Sequence, residues 1–373
     1  MTRAVVLTGG GTGGHVLPLK AIAAALLDAG VDADDLVIVG SRRGQDKELL
    51  DGTGIELVLL PGRGIRRSLR VTAVLRNLAA IAGLAAALVR GVALVARRRP
   101  RAVVSVGGYA AFAAAVGAVV TGRPLVLVDL DAAPGLVHRV LRPFAVAIAA
   151  AYATDAGRRV VVTGTPLRAE IATITRSTAE RDAARSRLGL DPARAVVAVT
   201  SGSLGATSIN RAVSDLALRW GDHGPATLYH VTGRRDASEV RTNKAATGIG
   251  DASWRLVEFE HAMADLWQAC DVAVCRAGAT TVAELCAAGV PAVLVALPGA
   301  PGDHQVGNAA VLADAGAAVV LDDAAVSGAL LDETLTGLLG DPGRLAAMSR
   351  AARSLARPDA ARRIAEVVLD HAR

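Results

Sequence analysis

The sequence predicts an α/β protein built from two doubly wound domains, each a parallel sheet covered by helices on both faces. Three observations predict it. The chain is 373 residues long, more than one domain usually holds. Short runs of β-branched residues alternate with longer Ala- and Leu-rich segments. A strand, a glycine-rich turn and a helix follow one another near the start of each half. In the first half the strand runs are Val5–Thr8, Leu36–Val39, Val103–Val106, Leu125–Val128, Ala147–Ala149 and Val160–Val162, with helices expected at 16–29, 68–95, 109–121 and 135–142. These runs are apolar throughout, as strands buried on both faces are. Residues 166–194 are more charged and read as a linker and a helix. The pattern then restarts with strands expected at Val196–Thr200, Thr227–Val231, Trp254–Val257, Val272–Cys275, Ala292–Val295 and Ala318–Leu321. Strands alternating with helices give parallel sheets. The domains are placed at 1–165 and 166–344, and the segment after "DPGR", 342–371, reads as helix.

Composition narrows the function classes. Hydrophobic residues make up 52% and aromatic residues only 2%, so the cores are aliphatic. So few rings argue against binding nucleic acid by base stacking. Residues 1–160 hold 20 basic groups against 11 acidic, and the remainder 21 against 24, so the first half has the field that draws an anionic surface or ligand. From Leu57 to Val128 there is no acidic residue and there are eleven arginines, including Arg63, Arg66, Arg67, Arg70, Arg76, Arg97, Arg98, Arg99 and Arg101. Between the clusters runs the apolar "NLAAIAGLAAALVRGVALVA". An apolar helix rimmed by arginine suits an anionic bilayer surface, and a buried helix with solvated ends is the plainer alternative. Residues 77–89 and 109–122 fall short of the ~20 residues that span a bilayer. The first strand begins almost at once, with no signal-peptide pattern, so export is not expected. Cys270, Cys275 and Cys286 form no CxxC and read as buried thiols rather than zinc ligands.

Four segments carry chemistry. In "LTGGGTGGH", Gly9, Gly11 and Gly14 satisfy G-x-G-x-x-G between a strand and a helix. Such a turn lets a ligand approach backbone N–H groups at a helix N-terminus. A dinucleotide site would want an acidic residue at the end of the second strand, but Arg42 and Arg43 stand there and would suit a 2′-phosphate. That keeps an NADP enzyme as a rival. His15, directly after the turn, is a candidate base, or else packs in the first helical turn. "VTSGSLGA" repeats the device with Gly202, Ser203 and Gly205. In "VCRAGATTVAE", Gly278 lets the chain turn, and Thr281 with Glu284 has capping-box spacing. The same carboxylate can instead hold a ribose diol while the helix start holds a diphosphate. "LPGAPGDHQVGNA" is a stiff loop in which Gln305 and Asn308, three apart, project together if a helix starts there; His304 is contributing or simply exposed. Amides suit sugar hydroxyls because they both donate and accept.

With "GGTGGH" at 10–15, "GGY" at 107–109, "PGL" at 134–136, "CRAGATTVAE" at 275–284 and "GDHQVGN" at 302–308, in that order, the chain resembles the N-acetylglucosamine transferases of peptidoglycan synthesis that convert lipid I to lipid II. The resemblance runs through nearly the whole chain. It implies a GT-B fold, two Rossmann-like domains facing across a cleft, with inverting chemistry and neither metal nor cofactor. UDP-N-acetylglucosamine would bind mainly in the C-terminal domain, and the undecaprenyl-linked muramyl-pentapeptide at the N-terminal one. His15 would be the base for the acceptor 4-hydroxyl, with Thr12, Gly13 and Gly14 beside it. Gly202, Ser203, Arg276, Gly278, Ala279, Thr280, Thr281, Glu284, Gln305 and Asn308 match the donor set. Within it Glu284 would hold the ribose, and Gln305 and Asn308 would face the N-acetylglucosamine. Arg168 in "TGTPLR" resembles a phosphate-proximal arginine. "VEFEHAM" at 257–263 aligns with the uracil-contact region, with Glu260 and His261 in place of the commoner "ID". A helix at about 345–371 would pack back on the first domain. The implied setting is peripheral, on an anionic membrane at its cytoplasmic face, near other cell-wall synthesis proteins and away from nucleic acid.

The departures fall on the acceptor side. Where the family has "HEQN", this chain has Val128, Asp129, Leu130 and Asp131, which shortens one carboxylate and adds another. "GGYVSGP" has become "GGYAAFA", with Ala111 and Phe112. Both Asp129 and Asp131 are counted as substrate-binding candidates. Their "DLD" also mimics a metal-binding D-x-D, a role rejected because two glycine-rich helix starts can hold the diphosphate and the alignment explains the placement. Four rivals remain: the NADP enzyme, a GT-B transferase for a different lipid or specialised metabolite, a UDP-sugar epimerase that needs no acceptor, and a nucleotide-sugar-binding homologue without turnover.

Overall fold

The computed structural model describes residues 4–11, 13–42, 45–61, 71–153, 157, 159–200, 202 and 204–372. Thr12, Arg43, Arg63, Arg66, Arg67, Arg70 and Ser203 lie outside the described residues. The chain forms two compact units, Met1–Arg168 with Pro358–Arg373, and Ala169–Arg357.

The first unit runs β1 (Val5–Thr8), α1 (Gly13–Asp28), β2 (Leu36–Ser41), α2 (Asp46–Leu50), β3 (Glu56–Leu60), α3 (Val71–Arg98), β4 (Ala102–Ser105), α4 (Tyr109–Val120), β5 (Leu125–Asp129), α5 (Leu136–Leu141), β6 (Ala147–Ala150) and β7 (Val160–Val162). Its seven strands are parallel in the order β3-β2-β1-β4-β5-β6-β7. Every residue of β1, β2, β4, β5 and β6 is buried, because helices cover both faces. The run pattern did not single out β3. It is an edge strand that opens on exposed Glu56, which pairs with Arg98 of α3 at 2.5 Å. Close helix packing explains the alanine and glycine content of this half. A Cβ on Gly91 of α3 would sit 2.6 Å from the Ala113 carbonyl carbon of α4, so the two backbones touch there and only glycine fits. Among the described residues no helix is long and apolar enough to cross a membrane.

The second unit continues with α6 (Ala169–Ala172), α7 (Thr178–Arg187), β8 (Ala195–Thr200), α8 (Thr207–Trp220), β9 (Ala226–Val231), α9 (Ala237–Ala245), β10 (Trp254–Val257), α10 (Met263–Ala269), β11 (Val272–Cys275), α11 (Ala279–Ala288), β12 (Ala292–Val295), α12 (His304–Asp314), β13 (Ala318–Leu321), α13 (Gly328–Leu339) and α14 (Pro342–Ser354). Its six parallel strands run β10-β9-β8-β11-β12-β13. Cys270, Cys275 and Cys286 are buried free thiols, and burial pushes Cys270 up to about 11 and Cys286 up to about 12.

The C-terminal segment is two helices rather than one. α14 stays with the second unit, where Ser349 Oγ donates to the Gly289 carbonyl at 2.7 Å. Residues 355–359 then interrupt it: Pro358 has no N–H and disfavours helix at Arg357. α15 (Ala360–His371) belongs to the first unit and buries Ala360, Ile364, Ala365 and Val368, one face at helical spacing.

Candidate active site

A doubly wound sheet collects ligands at the carboxyl ends of the strands that flank the reversal of strand order. In the first unit the reversal lies between β1 and β4, so the turns after Thr8 and Ser105 are neighbours; Val106 N–H donates to the Thr8 carbonyl at 3.0 Å. The first turn holds Gly10 at φ 119° and Gly11 at φ 95°, a region that side chains avoid. Its anion is supplied by the chain itself. Asp46, 1% exposed, accepts the Gly11 N–H with Oδ2 at 2.9 Å and the Ser41 N–H with Oδ1 at 3.0 Å. A Cβ on Gly10 would fall 1.9 Å from Asp46 Oδ1, so the glycine admits a carboxylate. The dinucleotide reading loses its donor here, because the Gly11 N–H is taken, and Arg42 turns its Nε to the Leu59 carbonyl at 3.3 Å. Asp46→Asn sets an NH2 against one of these N–H groups. Its expected cost is about 2 kcal/mol, read as a lower urea midpoint.

His15 lies in the first turn of α1, partly buried, with Gly13 before it and Gly14 exposed. Its ring rests on the turn after β4. A Cβ on Gly108 would lie 3.7 Å from His15 Cε1 and Nδ1, and one on Gly107 3.8 Å from Cδ2. The same Gly107 position lies 3.6 Å from Cε1 of His138, on α5. Behind the turn runs a buried polar chain: Ser105 Oγ is 3.0 Å from His138 Nε2, and His138 Nδ1 is 2.6 Å from Asp129 Oδ1. Arg142 Nη1 donates to Asp129 Oδ2 at 3.1 Å. Asp129 is therefore 6% exposed with both oxygens engaged by protein, whereas Asp131 lies partly buried in the turn that follows. Arg168 is a partly buried residue at the end of this unit's first segment.

In the second unit the reversal lies between β8 and β11. After β8, Gly202 is exposed at φ 81°. Gly205 is at φ 84°, and its Cβ would fall 2.2 Å from the Thr232 carbonyl oxygen. After β11, helix α11 starts at Ala279 with Gly278 as its N-cap. The capping box expected from Thr281 and Glu284 does not form. Thr281 is already inside the helix, and Glu284 sits a turn further on, 6% exposed, accepting from Trp267 Nε1 at 2.8 Å. Ala279, Thr280 and Thr281 make a partly buried first turn, and its N-cap Gly278 has no side chain to cap it.

The loops around this helix start are braced by the other candidates. Arg276 ties the turn after β11 to three other segments: Nη1 reaches the Val295 and Ala296 carbonyls at 3.1 Å and Asp323 at 2.6 Å, and Nη2 reaches Ser208 Oγ, at the start of α8, at 3.0 Å. Asn308 of α12 is fully buried and donates to the Ala277 carbonyl at 3.0 Å. Gln305 Oε1 accepts the Leu297 N–H at 3.0 Å. The two amides share α12, but one braces the β11–α11 turn and the other the turn after β12. His304, at the start of α12, is partly buried. After β10, Glu260 accepts from Tyr229 Oη at 2.5 Å and from the Ala262 N–H at 2.6 Å. Burial pushes the Tyr229 hydroxyl well above its usual range, so it stays a donor. Phe259 stands beside them, with Arg234 Cζ 5.7 Å from its ring centre and the His261 ring 4.8 Å away.

Sequence reasoning missed Asp46, Ser105, His138, Trp267, Asp323 and Phe259. Most of these partners lie far along the chain, 35 residues in the case of Asp46 and Gly11, and no local motif links them. A visible signal existed for Trp267, an apolar ring with one polar N–H in a chain almost free of aromatics.

The comparisons with known proteins agree with this layout. The model of the glycosyltransferase family 28 N-terminal domain matches residues 5–150, and that of the family's C-terminal domain matches residues 196–364. The UDP-N-acetylglucosamine–N-acetylmuramyl-(pentapeptide) pyrophosphoryl-undecaprenol N-acetylglucosamine transferase of Desulforudis audaxviator is 35% identical over 321 residues, covering 84% of this chain and 83% of the relative. The protein of the same name from Alkalilimnicola ehrlichii is 38% identical over 321 residues, covering 85% and 84%. Among solved structures, Acinetobacter baumannii MurG superposes with a TM-score of 0.74 at 26% identity over 98% of this chain and 99% of that one. A UDP-N-acetylglucosamine 2-epimerase, at 14% identity and a TM-score of 0.66 over 100% and 97%, shares the fold alone. With two parallel sheets of the GT-B type and both family domains matched in order, the chain belongs to glycosyltransferase family 28, among the N-acetylglucosamine transferases that the name MurG denotes.

Proposed function

We propose that the protein transfers N-acetylglucosamine from UDP-N-acetylglucosamine to the 4-hydroxyl of the muramyl sugar of undecaprenyl-diphosphate-linked MurNAc-pentapeptide, giving lipid II for peptidoglycan. One observation carries the reading: a histidine at the strand-order reversal of the first unit and a glycine-capped helix with a braced carboxylate at that of the second. The second unit binds the donor. The positive end of α11 meets the diphosphate, and Glu284, oriented by Trp267, accepts from the ribose diol. Phe259 and Glu260 flank the uracil. Gln305 and Asn308 shape the loops that face the N-acetylglucosamine, Arg276 holds those loops together, and Gly202 and Ser203 complete the donor-side set.

The first unit binds the acceptor at Thr12, Gly13, Gly14 and Asp131, with Arg168 near the phosphates. His15 accepts the proton of the 4-hydroxyl as that oxygen bonds to the anomeric carbon. The bond from that carbon to the β-phosphate oxygen breaks on the opposite face, so the configuration inverts and UDP departs with the electron pair. The α11 helix end stabilises the charge that grows on it.

The surface of the first unit supports a membrane setting. Leu136, Val140 and Phe144 are 68%, 55% and 57% exposed at a spacing of four, beside Arg139 and Arg142. Apolar side chains on one face, rimmed by arginine, suit the surface of an anionic bilayer at the cytoplasmic face. Leu136→Ser with Phe144→Ser should cut sedimentation with phosphatidylglycerol vesicles at least about tenfold, since each buried apolar side chain contributes about 1.5–3 kcal/mol. Unchanged sedimentation would place the membrane contact elsewhere.

The engagement of Asp129 by His138 and Arg142 favours a second reading, a changed lipid acceptor. Labelled UDP-N-acetylglucosamine with membrane extracts separates the two. A label that enters the muramyl pentapeptide lipid supports lipid I, and a label in any other lipid supports the second reading.

A further inference from the structure

We propose that His138 is a positioning residue for His15, acting through Ser105 and the Gly107–Gly108 turn; the proposal rests on His15 being the base. Buried polar groups persist where each is hydrogen-bonded. Ser105, His138 and Asp129 are 0%, 4% and 6% exposed, and with the imidazole neutral their hydrogen bonds run in one direction. Asp129 accepts from Arg142 on one oxygen, so the other takes the Nδ1–H of His138. That tautomer leaves Nε2 to accept from the Ser105 hydroxyl, and Ser105 Oγ in turn accepts the Gly107 N–H at 3.4 Å.

The chain therefore ends on the backbone of a turn. Gly107 at φ 90° and Gly108 at φ 82° adopt a conformation that side chains avoid, and Gly108 caps α4 with no side chain of its own. The His15 ring lies against both glycines and the His138 ring against Gly107. A histidine that only fills core looks different in this protein. His230 is fully buried between Asn210, at 2.9 Å, and Trp254, at 3.4 Å, with no carboxylate on its ring. His138 instead links a carboxylate and an arginine to the turn on which the proposed base rests. A base displaced by a fraction of an ångström loses alignment with the hydroxyl it serves, so the network acts on kcat and leaves the donor, held by the other unit, untouched.

The test uses the full-length enzyme with variants His138→Ala, His138→Gln, Ser105→Ala, the double variant Ser105→Ala/His138→Ala, and His15→Ala. For each, kcat and donor KM are normalised to the folded fraction. The expected result is a fall in kcat of about 10- to 100-fold for His138→Ala and Ser105→Ala, with donor KM within about twofold. The double variant should be no worse than the worse single one, as for residues acting through one chain. His138→Gln, whose amide oxygen can accept from Ser105, should recover most of the loss. Wild-type kcat per folded molecule in His138→Ala and Ser105→Ala, with His15→Ala inactive, overturns this proposal alone. A fully active His15→Ala overturns both it and the base assignment.

Discussion

Replacing His15 by alanine should lower kcat by about 10²- to 10⁴-fold, the usual contribution of a general base, while calorimetric affinity for UDP-N-acetylglucosamine stays at the wild-type value. The split follows from where the parts are held. His15 stands on α1 at the β1/β4 reversal of the first unit, and the donor candidates stand around α11 in the second. The histidine is also better placed than its glycine-rich surroundings suggest. Asp46 already occupies the Gly11 N–H, so the loop is a stiff seat for the start of α1 rather than an open phosphate cradle. A loss of donor affinity that matched the loss in kcat would move His15 from proton transfer to donor binding.

Glu284 carries the second large effect. Glu284→Ala should raise the donor KM by at least about 100-fold, since hydrogen bonds to a charged group contribute about 1.5–3 kcal/mol each and a ribose diol offers two. Trp267→Phe keeps the ring's bulk but drops the N–H that holds Oε2, so its expected rise is about tenfold, one such bond's worth of orientation. Neither variant should change the rate at saturating donor more than a few-fold. UDP affinity followed by titration gives the same ranking without any acceptor. An unaltered KM in Glu284→Ala would leave that carboxylate a structural partner of Trp267 rather than a ligand of the donor.

Much of this was legible in the sequence because it is local. Continuous apolar runs such as Val5–Thr8 and Val272–Cys275 mark strands covered on both faces, and glycines after them mark the turns at the strand ends. β3 escaped because an edge strand has one neighbour and tolerates a charged residue such as Glu56. The helix after "DPGR" looked continuous because alanine and arginine dominate it, yet Pro358 divides it and sends α15 to the other unit. The capping reading of Thr281 and Glu284 rested on spacing, which cannot tell whether the N-cap is Thr281 or Gly278. Side-chain partnerships were the least legible. That Asp129 meets His138 and Arg142, or that Arg276 meets Asp323, depends on which loops the strand order brings together. Residue types at a site can be read along the chain, but the atoms that occupy them cannot.

The most direct test supplies purified protein with UDP-N-acetylglucosamine labelled in the sugar and a lipid-linked muramyl-pentapeptide acceptor, then follows both UDP release and the linkage formed. The expected result is one UDP per disaccharide, joined at the muramyl 4-hydroxyl with inverted anomeric configuration, and almost none from His15→Ala. Donor consumed at the same rate without acceptor, or a disaccharide that retains the donor's configuration, would contradict it.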